Sequence, residues 1–356
     1  MAKVRVLVVE DSITVRKHLV EVLGEDPGID VIGEAENGMR GIMLCQTLRP
    51  DVVTVDMMMP LMSGLAATEY IMAHCATPIL IVSASTNRGE IFKTFEALAA
   101  GAVDVIEKPT GDGFDDGWRR HFVSTVKLVS RIKVITHLNG RLAAQLRVQT
   151  PSPVLPVATR NGCQVVAIGA STGGPAAILD ILRRLPPQYP IPILLVVHIG
   201  EPFGAAFAEW LDGQAPLRVA YAREGEPVGS AHGQVIMAPP DRHLLVRDGR
   251  LRLTSDPERH SCRPSVDVLF ESVAREFGAQ SAACLLTGMG RDGAAGLLAI
   301  RHAGGFTMAQ DEATSVVYGM PREAVLLNAA ERVLPLDEIG PALARLVQRP
   351  RVGANG

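Results

Sequence analysis

Over roughly the first 110 residues, short apolar runs alternate with longer amphipathic stretches. β-Branched runs at Val4–Val9, Asp30–Ala35, Val52–Val55, Ile79–Val82 and Val103–Ile106 read as strands. Between them, apolar residues recur three and four apart, as at Val15, Leu19, Val22 and Leu23, which predicts helices. Strands alternating with helices predict a parallel sheet covered on both faces, here a five-stranded doubly wound unit. Its ligand site belongs at the carboxyl ends of the strands.

From Trp118 the helical pattern runs unusually long. Leu128, Ile132, Ile135, Leu138, Leu142 and Leu146 form one apolar stripe on a largely basic segment, and Pro151, Pro153 and Pro156 end it. Residues 126–160 are therefore expected to be a helical linker with a stiff Pro-rich end, although the last helix of the first domain plus a surface loop fits equally. A first domain of 1–125 and a second of 161–348 remain on either side. Beyond Gly162 a second α/β pattern begins. Strands are expected at Val165–Ile168, Ile193–Val197, Gln234–Ala238 and Ala282–Thr287, and helices at Pro175–Leu185, Ser265–Glu276 and Ala294–Ala303. Leu244–Val246 and Leu251–Leu253 flank Asp248-Gly249, a strong signal for an antiparallel hairpin. The fold class is α/β in both halves, the second mostly parallel with one hairpin. Gly353–Gly356 reads as a frayed tail.

The 356 residues, 47% hydrophobic and 21% charged, can bury more than one core. The longest apolar run, Ile191 to Val197, contains Pro192 and falls far short of the roughly 20 residues that cross a bilayer. The amino terminus lacks the apolar segment of a signal peptide, so a cytoplasmic protein without membrane insertion is expected. Cys45, Cys75, Cys163, Cys262 and Cys284 are scattered and form no Cys-x-x-Cys pair, which argues against a disulfide framework or a zinc site. A net charge of −3 gives no general case for nucleic acid as partner. Basic residues do crowd the stretch between Asp116 and Asp180, which holds no acidic residue. A DNA-binding reading of it lacks a helix-turn-helix partner.

Carboxylates mark the strand ends of the first half. Glu10 and Asp11 follow the first strand and Asp56 the third, so a parallel sheet brings all three to one edge. Anions packed together raise one another's pKa unless a cation sits among them, and an all-oxygen set of this charge suits Mg2+. Ser83 ends the fourth strand, and Lys108-Pro109 follows the fifth. A metal, an ammonium and a hydroxyl around an aspartate are what a phosphoryl group needs. These residues, with Ser12, Met57-Met58-Met59-Pro60, Gly64 and Ala84, resemble the receiver domain of two-component response regulators over about residues 1–125. The resemblance implies phosphorylation of Asp56 by a sensor histidine kinase, with Ser83 and Lys108 contacting the phosphoryl group. Glu10 stands where many receivers have Asp; the charge is kept with one extra methylene.

In the second half, Gly169-Ala170-Ser171-Thr172-Gly173-Gly174-Pro175 sits at a strand-to-helix turn. Such a turn can expose a serine and aim backbone N–H groups at an oxyanion, and it can equally cradle a phosphate. His198 ends the next strand and is the candidate base. His243, His260 and His302 fit surface or packing roles better. Asp292, in Thr287-Gly288-Met289-Gly290-Arg291-Asp292-Gly293, is the candidate orienting acid, with Asp241 and Asp267 as rivals.

These stretches resemble the catalytic domain of chemotaxis receptor glutamate methylesterases over about residues 163–347. Val197-His198, Ala238-Pro239-Pro240-Asp241-Arg242-His243, Arg263-Pro264-Ser265-Val266-Asp267, Gln310-Asp311-Glu312 and Gly319-Met320-Pro321-Arg322-Glu323-Ala324 add to the match. It implies a Ser171, His198 and Asp292 triad, oxyanion donors near Thr172, Gly173 and Met289, no metal for the ester step, and methyl-accepting chemoreceptors as substrate. Members also deamidate receptor glutamines, and the resemblance implies that the unphosphorylated receiver restrains the esterase. Two stretches depart from the pattern: Ile199-Gly200-Glu201-Pro202-Phe203 after the histidine, and Ser261-Cys262 between His260 and Arg263. Competing classes are a nucleotide-binding output module at Gly169–Gly174 and a DNA-binding regulator using the basic linker.

Overall fold

The computed structural model describes residues 2–84, 87–108, 115–132, 134, 162–200 and 203–347. Met1–Ser152 and Pro153–Gly356 form two separate units.

In the first unit, β1 (Val4–Val9), β2 (Ile29–Ala35), β3 (Val52–Val55), β4 (Ile79–Ser83) and β5 (Asp104–Glu107) form a parallel sheet in the order β2-β1-β3-β4-β5. Helices cover both faces, so Val6, Leu7, Val8, Val53, Val55, Leu80 and Ile81 are buried in continuous runs rather than alternately. Helices α1 (Ile13–Gly24), α2 (Gly38–Leu48), α3 (Gly64–His74), α4 (Arg88–Ala99) and α5 (Asp116–Val129) start at Ser12, Asn37, Ser63, Asn87 and Asp115. Each of those side chains accepts a hydrogen bond from a first-turn amide, the reason short polar residues occur there. Phe122, Val126 and Val129 carry α5 into the core. The rest of the expected linker stripe, from Ile135 to Leu146, and the Pro-rich segment lie outside the described residues, as does the carboxyl tail.

The second unit is built from β6 (Val165–Ala170), α6 (Gly174–Arg183), β7 (Ile193–Val197), α7 (Phe203–Gln214), β8 (Arg218–Tyr221) and β9 (Gln234–Met237). Then come β10 (His243–Arg247), β11 (Arg250–Thr254), α8 (Val266–Phe277), β12 (Ser281–Leu285), α9 (Ala294–His302), β13 (Phe306–Gln310), α10 (Met320–Leu326), β14 (Arg332–Leu334) and α11 (Leu336–Arg345). Seven strands pair in parallel in the order β14-β13-β12-β6-β7-β9-β8, and β10 and β11 form the expected antiparallel hairpin apart from them. Asp248 and Gly249 at its tip have φ of 54° and 67°, the left-handed pair of a tight hairpin turn. The chain lays β7 on one side of β6 and later β12 on the other. The strand order reverses at β6, the position beyond whose carboxyl end open α/β sheets generally bind their ligands.

Candidate functional sites

At the carboxyl edge of the first sheet, Lys108 Nζ lies 2.6 Å from both Asp56 Oδ1 and Glu10 Oε2. All three side chains are almost completely buried. Burial pushes the Asp56 carboxyl up, against the pull of Lys108, and the neighbouring Asp11 charge adds to the rise. Burial raises Glu10 in the same way, again opposed by Lys108. The site is thus short of positive charge. Carboxylate oxygens of Glu10, Asp11 and Asp56 lie within 4.8 Å of one another. Octahedral Mg2+, with bonds of about 2.1 Å, holds opposite oxygens about 4.2 Å apart, so this hard donor set fits it. Ser83 is buried at the end of β4, where its carbonyl accepts from the Lys108 amide at 2.8 Å. Gly64 lies so close that a Cβ there would meet the Asp56 carbonyl oxygen at 2.1 Å. Only glycine lets α3 begin against the strand that carries the aspartate. Glu10, Asp11, Asp56, Ser83 and Lys108 all stand at the carboxyl ends of their strands on this edge; Pro109 lies outside the described residues.

In the second unit, Ser171 directly follows β6 and His198 directly follows β7. The pairing Ala170↔Val197 and the bond from His198 N–H to the Ala170 carbonyl, 3.0 Å, make them the next positions in register on adjacent strands. Adjacent parallel strands lie about 4.8 Å apart, which puts the two side chains within reach of each other. Thr172 and Gly173 complete the turn; Gly173 has φ of 77° and precedes α6. A Cβ on Gly288, in the loop after β12, would meet the Ser171 Cβ at 2.7 Å, so this loop closes over the serine only because it has no side chain there. Met289 follows it and is exposed.

His198 Nε2–H donates to Asp292 Oδ2 at 2.9 Å. Asp292 is buried and accepts three further bonds: from Val266 N–H at 2.7 Å on the same oxygen, and from Ser265 Oγ at 2.7 Å and Asp267 N–H at 3.1 Å on the other. The carboxylate therefore sits on the amino terminus of α8, where backbone donors and the helix dipole favour an anion. Burial opposes its ionisation, but His198, Ser265 and the Val266 amide outweigh it and hold the carboxyl below the usual range. Burial likewise resists charging His198, yet the bonds to Asp292 and Cys262 prevail and push the imidazole up to about 9.

The two rivals for the acid role are placed elsewhere. Asp267 is buried in the first turn of α8, bonded to the Gly296 amide and to His260. Asp241 is exposed and pairs with Arg263. His243 is buried and accepts from the Ser265 amide, a packing role.

One contact was not foreseen. The free ring nitrogen, His198 Nδ1, faces Cys262 Sγ at 3.7 Å, and among the described residues Ser171 Oγ makes no hydrogen bond to the ring. The structure thus joins His198 to Asp292 and sets Ser171 beside them without closing the third contact. Thr287, Gln310 and Ser265 were also missed as individual contributors. Thr287 Oγ1 donates to the Thr172 carbonyl at 3.0 Å and its amide donates to Gln310 Oε1 at 2.9 Å, bracing the serine turn.

A receiver-like acidic edge and a histidine–carboxylate pair beside a strand-to-helix serine define a two-module regulatory hydrolase class. Residues 166–343 match the CheB methylesterase family and residues 6–113 the response regulator receiver domain. The chain is 43% identical over 345 residues to protein-glutamate methylesterase/protein-glutamine glutaminase 2 of Anaeromyxobacter dehalogenans (strain 2CP-C), covering 97% of each chain. It is 44% identical over 343 residues to protein-glutamate methylesterase/protein-glutamine glutaminase 4 of Myxococcus xanthus (strain DK1622), covering 95% of this chain and 96% of the relative. It is also similar to the crystal structure of the Thermotoga maritima CheB methylesterase catalytic domain, at 36% identity, over 52% of this chain and 98% of that one, with a TM-score of 0.49. The chain belongs to the CheB methylesterase family.

Proposed function

We propose that Ser171 Oγ attacks the methyl-ester carbonyl of a chemoreceptor glutamate, with His198 as general base and Asp292 orienting it. The observation that carries this reading is the buried His198–Asp292 pair one register step from Ser171. As the Oγ–C bond forms, the hydroxyl proton passes to the imidazole, and Asp292 stabilises the resulting imidazolium. The imidazolium then returns that proton to the departing methoxide, which leaves as methanol. Water, deprotonated by the same ring, cleaves the acyl-serine to glutamate. Backbone N–H groups of Thr172, Gly173 and Met289 face the oxyanion, a role in which one donor contributes roughly 3 kcal/mol. On a receptor glutamine, the same steps release ammonia. For proton transfer the ring must exchange its Cys262 contact for Ser171, an adjustment that substrate binding can supply.

The receiver provides regulation. Asp56 accepts a phosphoryl group from a sensor histidine kinase, with Lys108 and Ser83 contacting the phosphoryl oxygens. Glu10, Asp11 and Asp56 would hold Mg2+, which offsets phosphoryl charge when bound. Phosphorylation relieves a restraint of the receiver on the esterase. Among the described residues no helix is long and apolar enough to cross a membrane. We place the chain in the cytoplasm with its kinase.

The deciding experiment replaces Ser171 by Ala. Methanol release from methylated receptors should disappear while phosphoryl incorporation at Asp56 persists; substantial methanol release would remove Ser171 as nucleophile.

A further inference from the structure

We propose that Cys262 Sγ and His198 Nδ1 form a binding site for a thiophilic divalent cation of the Zn2+ class, and that its occupation blocks the catalytic base. The blocking half rests on the reading of His198 as base; the binding half does not.

Three observations converge. First, the two donor atoms stand 3.7 Å apart. Zn–S of about 2.3 Å and Zn–N of about 2.05 Å at a tetrahedral angle place sulfur and nitrogen about 3.6 Å apart, so one ion bridges them with little movement. Second, the ring is already arranged as a metal ligand. Imidazoles that bind zinc commonly donate their other N–H to a carboxylate, which fixes the tautomer and leaves a lone pair for the metal. His198 does this through Nε2 and Asp292, leaving Nδ1 towards the thiol. A carboxylate oxygen of Asp292 also lies within 4.8 Å of a His198 ring nitrogen and of the Cys262 sulfur, but its four hydrogen bonds, one of them from Nε2, make it an orienting group rather than a direct ligand.

Third, the loop that brings the thiol there is defined. Arg259 and Cys262 exchange backbone hydrogen bonds of 3.2 and 3.0 Å, and His260 and Ser261 between them have φ of 54° and 59°. That is a two-residue turn of the left-handed type, usually made by Asn-Gly. It sets Cys262, part-exposed, against the ring.

Sulfur and imidazole select against Mg2+, which prefers the oxygen set of the receiver, and for softer ions. On binding, the thiol proton and any proton held on Nδ1 pass to solvent as the S–metal and N–metal bonds form. Solvent or substrate oxygens complete the coordination. A ring so engaged cannot accept the Ser171 proton.

Full-length protein, with Mg2+ in excess to occupy the receiver carboxylates, is titrated with Co2+ and then Zn2+. The expected result is a thiolate-to-cobalt charge-transfer band reaching one equivalent and displaced by Zn2+. Cys262→Ser and Cys262→Ala should both lose that band, and calorimetry should show Zn2+ bound at least tenfold more weakly. Zn2+ should inhibit methanol release by the native chain in proportion to occupancy, reversibly on chelation. Each variant, measured against its own zinc-free rate, should resist it. Absence of the band, or its persistence in both variants, overturns the site. A band and Zn2+ binding without inhibition overturns the blocking half and counts against His198 as the base.

Discussion

Replacing Asp292 by Asn tests the arrangement where its geometry is most demanding. Each carboxylate oxygen accepts one backbone N–H and one side-chain donor: Asp267 N–H with Ser265 Oγ, and Val266 N–H with His198 Nε2. An amide must turn its NH2 towards one of those backbone N–H groups, whichever way it is flipped. One buried donor loses its acceptor, a stability cost of roughly 1–3 kcal/mol. The catalytic effect is separate. An imidazole held up to about 9 rather than near the usual 6.5 favours its protonated form by roughly 3 kcal/mol, much of it owed to Asp292. The imidazolium forms in the transition state, so losing that support should lower kcat/KM by on the order of 10²-fold or more.

The pH profile supplies the signature. A base must be unprotonated, so native kcat/KM should rise with pH and level off only above about 9. In the variant, burial of the ring is no longer offset by the carboxylate, so the acid limb should move to lower pH while the plateau falls. Stopped-time methanol release by phosphorylated chain, from pH 6 to 10, reads both. A variant that keeps the native plateau and the native inflection would refute the assignment of Asp292.

Three further outcomes follow from the same structure. Gly64→Ala, whose Cβ would meet the Asp56 carbonyl, should destabilise the receiver by about 1–3 kcal/mol in denaturant titration and slow phosphoryl incorporation. Native behaviour would show that α3 can shift freely. Lys108→Met leaves Glu10 and Asp56 buried without their ammonium, so both carboxyls should rise further and phosphorylation-dependent activation should be lost; retained activation by phosphodonor would contradict the role given to Lys108. A fragment beginning near residue 150 should release methanol faster than the intact unphosphorylated chain, and equal rates would remove the restraint.

Sequence pattern revealed much of this architecture because each chemical group follows an apolar strand. Glu10, Asp11 and Asp56 could be assigned to one edge without coordinates, since parallel strands share a direction. Ser171 and His198 were legible for the same reason. Strands β8 and β14 were less so: Arg218–Tyr221 and Arg332–Leu334 are short, polar at their start and only partly buried, so periodicity carries little signal. The contact of Cys262 with His198 was hidden more deeply. It joins positions 64 residues apart and depends on two non-glycine residues adopting left-handed backbone, which the expectation from scattered cysteines does not anticipate. The fourfold use of the Asp292 carboxylate was equally hidden, because Ser265 and Val266 were visible only as a helix start.

The most direct test of the central claim is to quench the reaction with a methylated receptor peptide and map the covalent intermediate by mass spectrometry. The account predicts an adduct on Ser171 with the mass of the peptide less methanol, absent from Ser171→Ala. An adduct on Cys262, or turnover with Ser171 replaced, would contradict it.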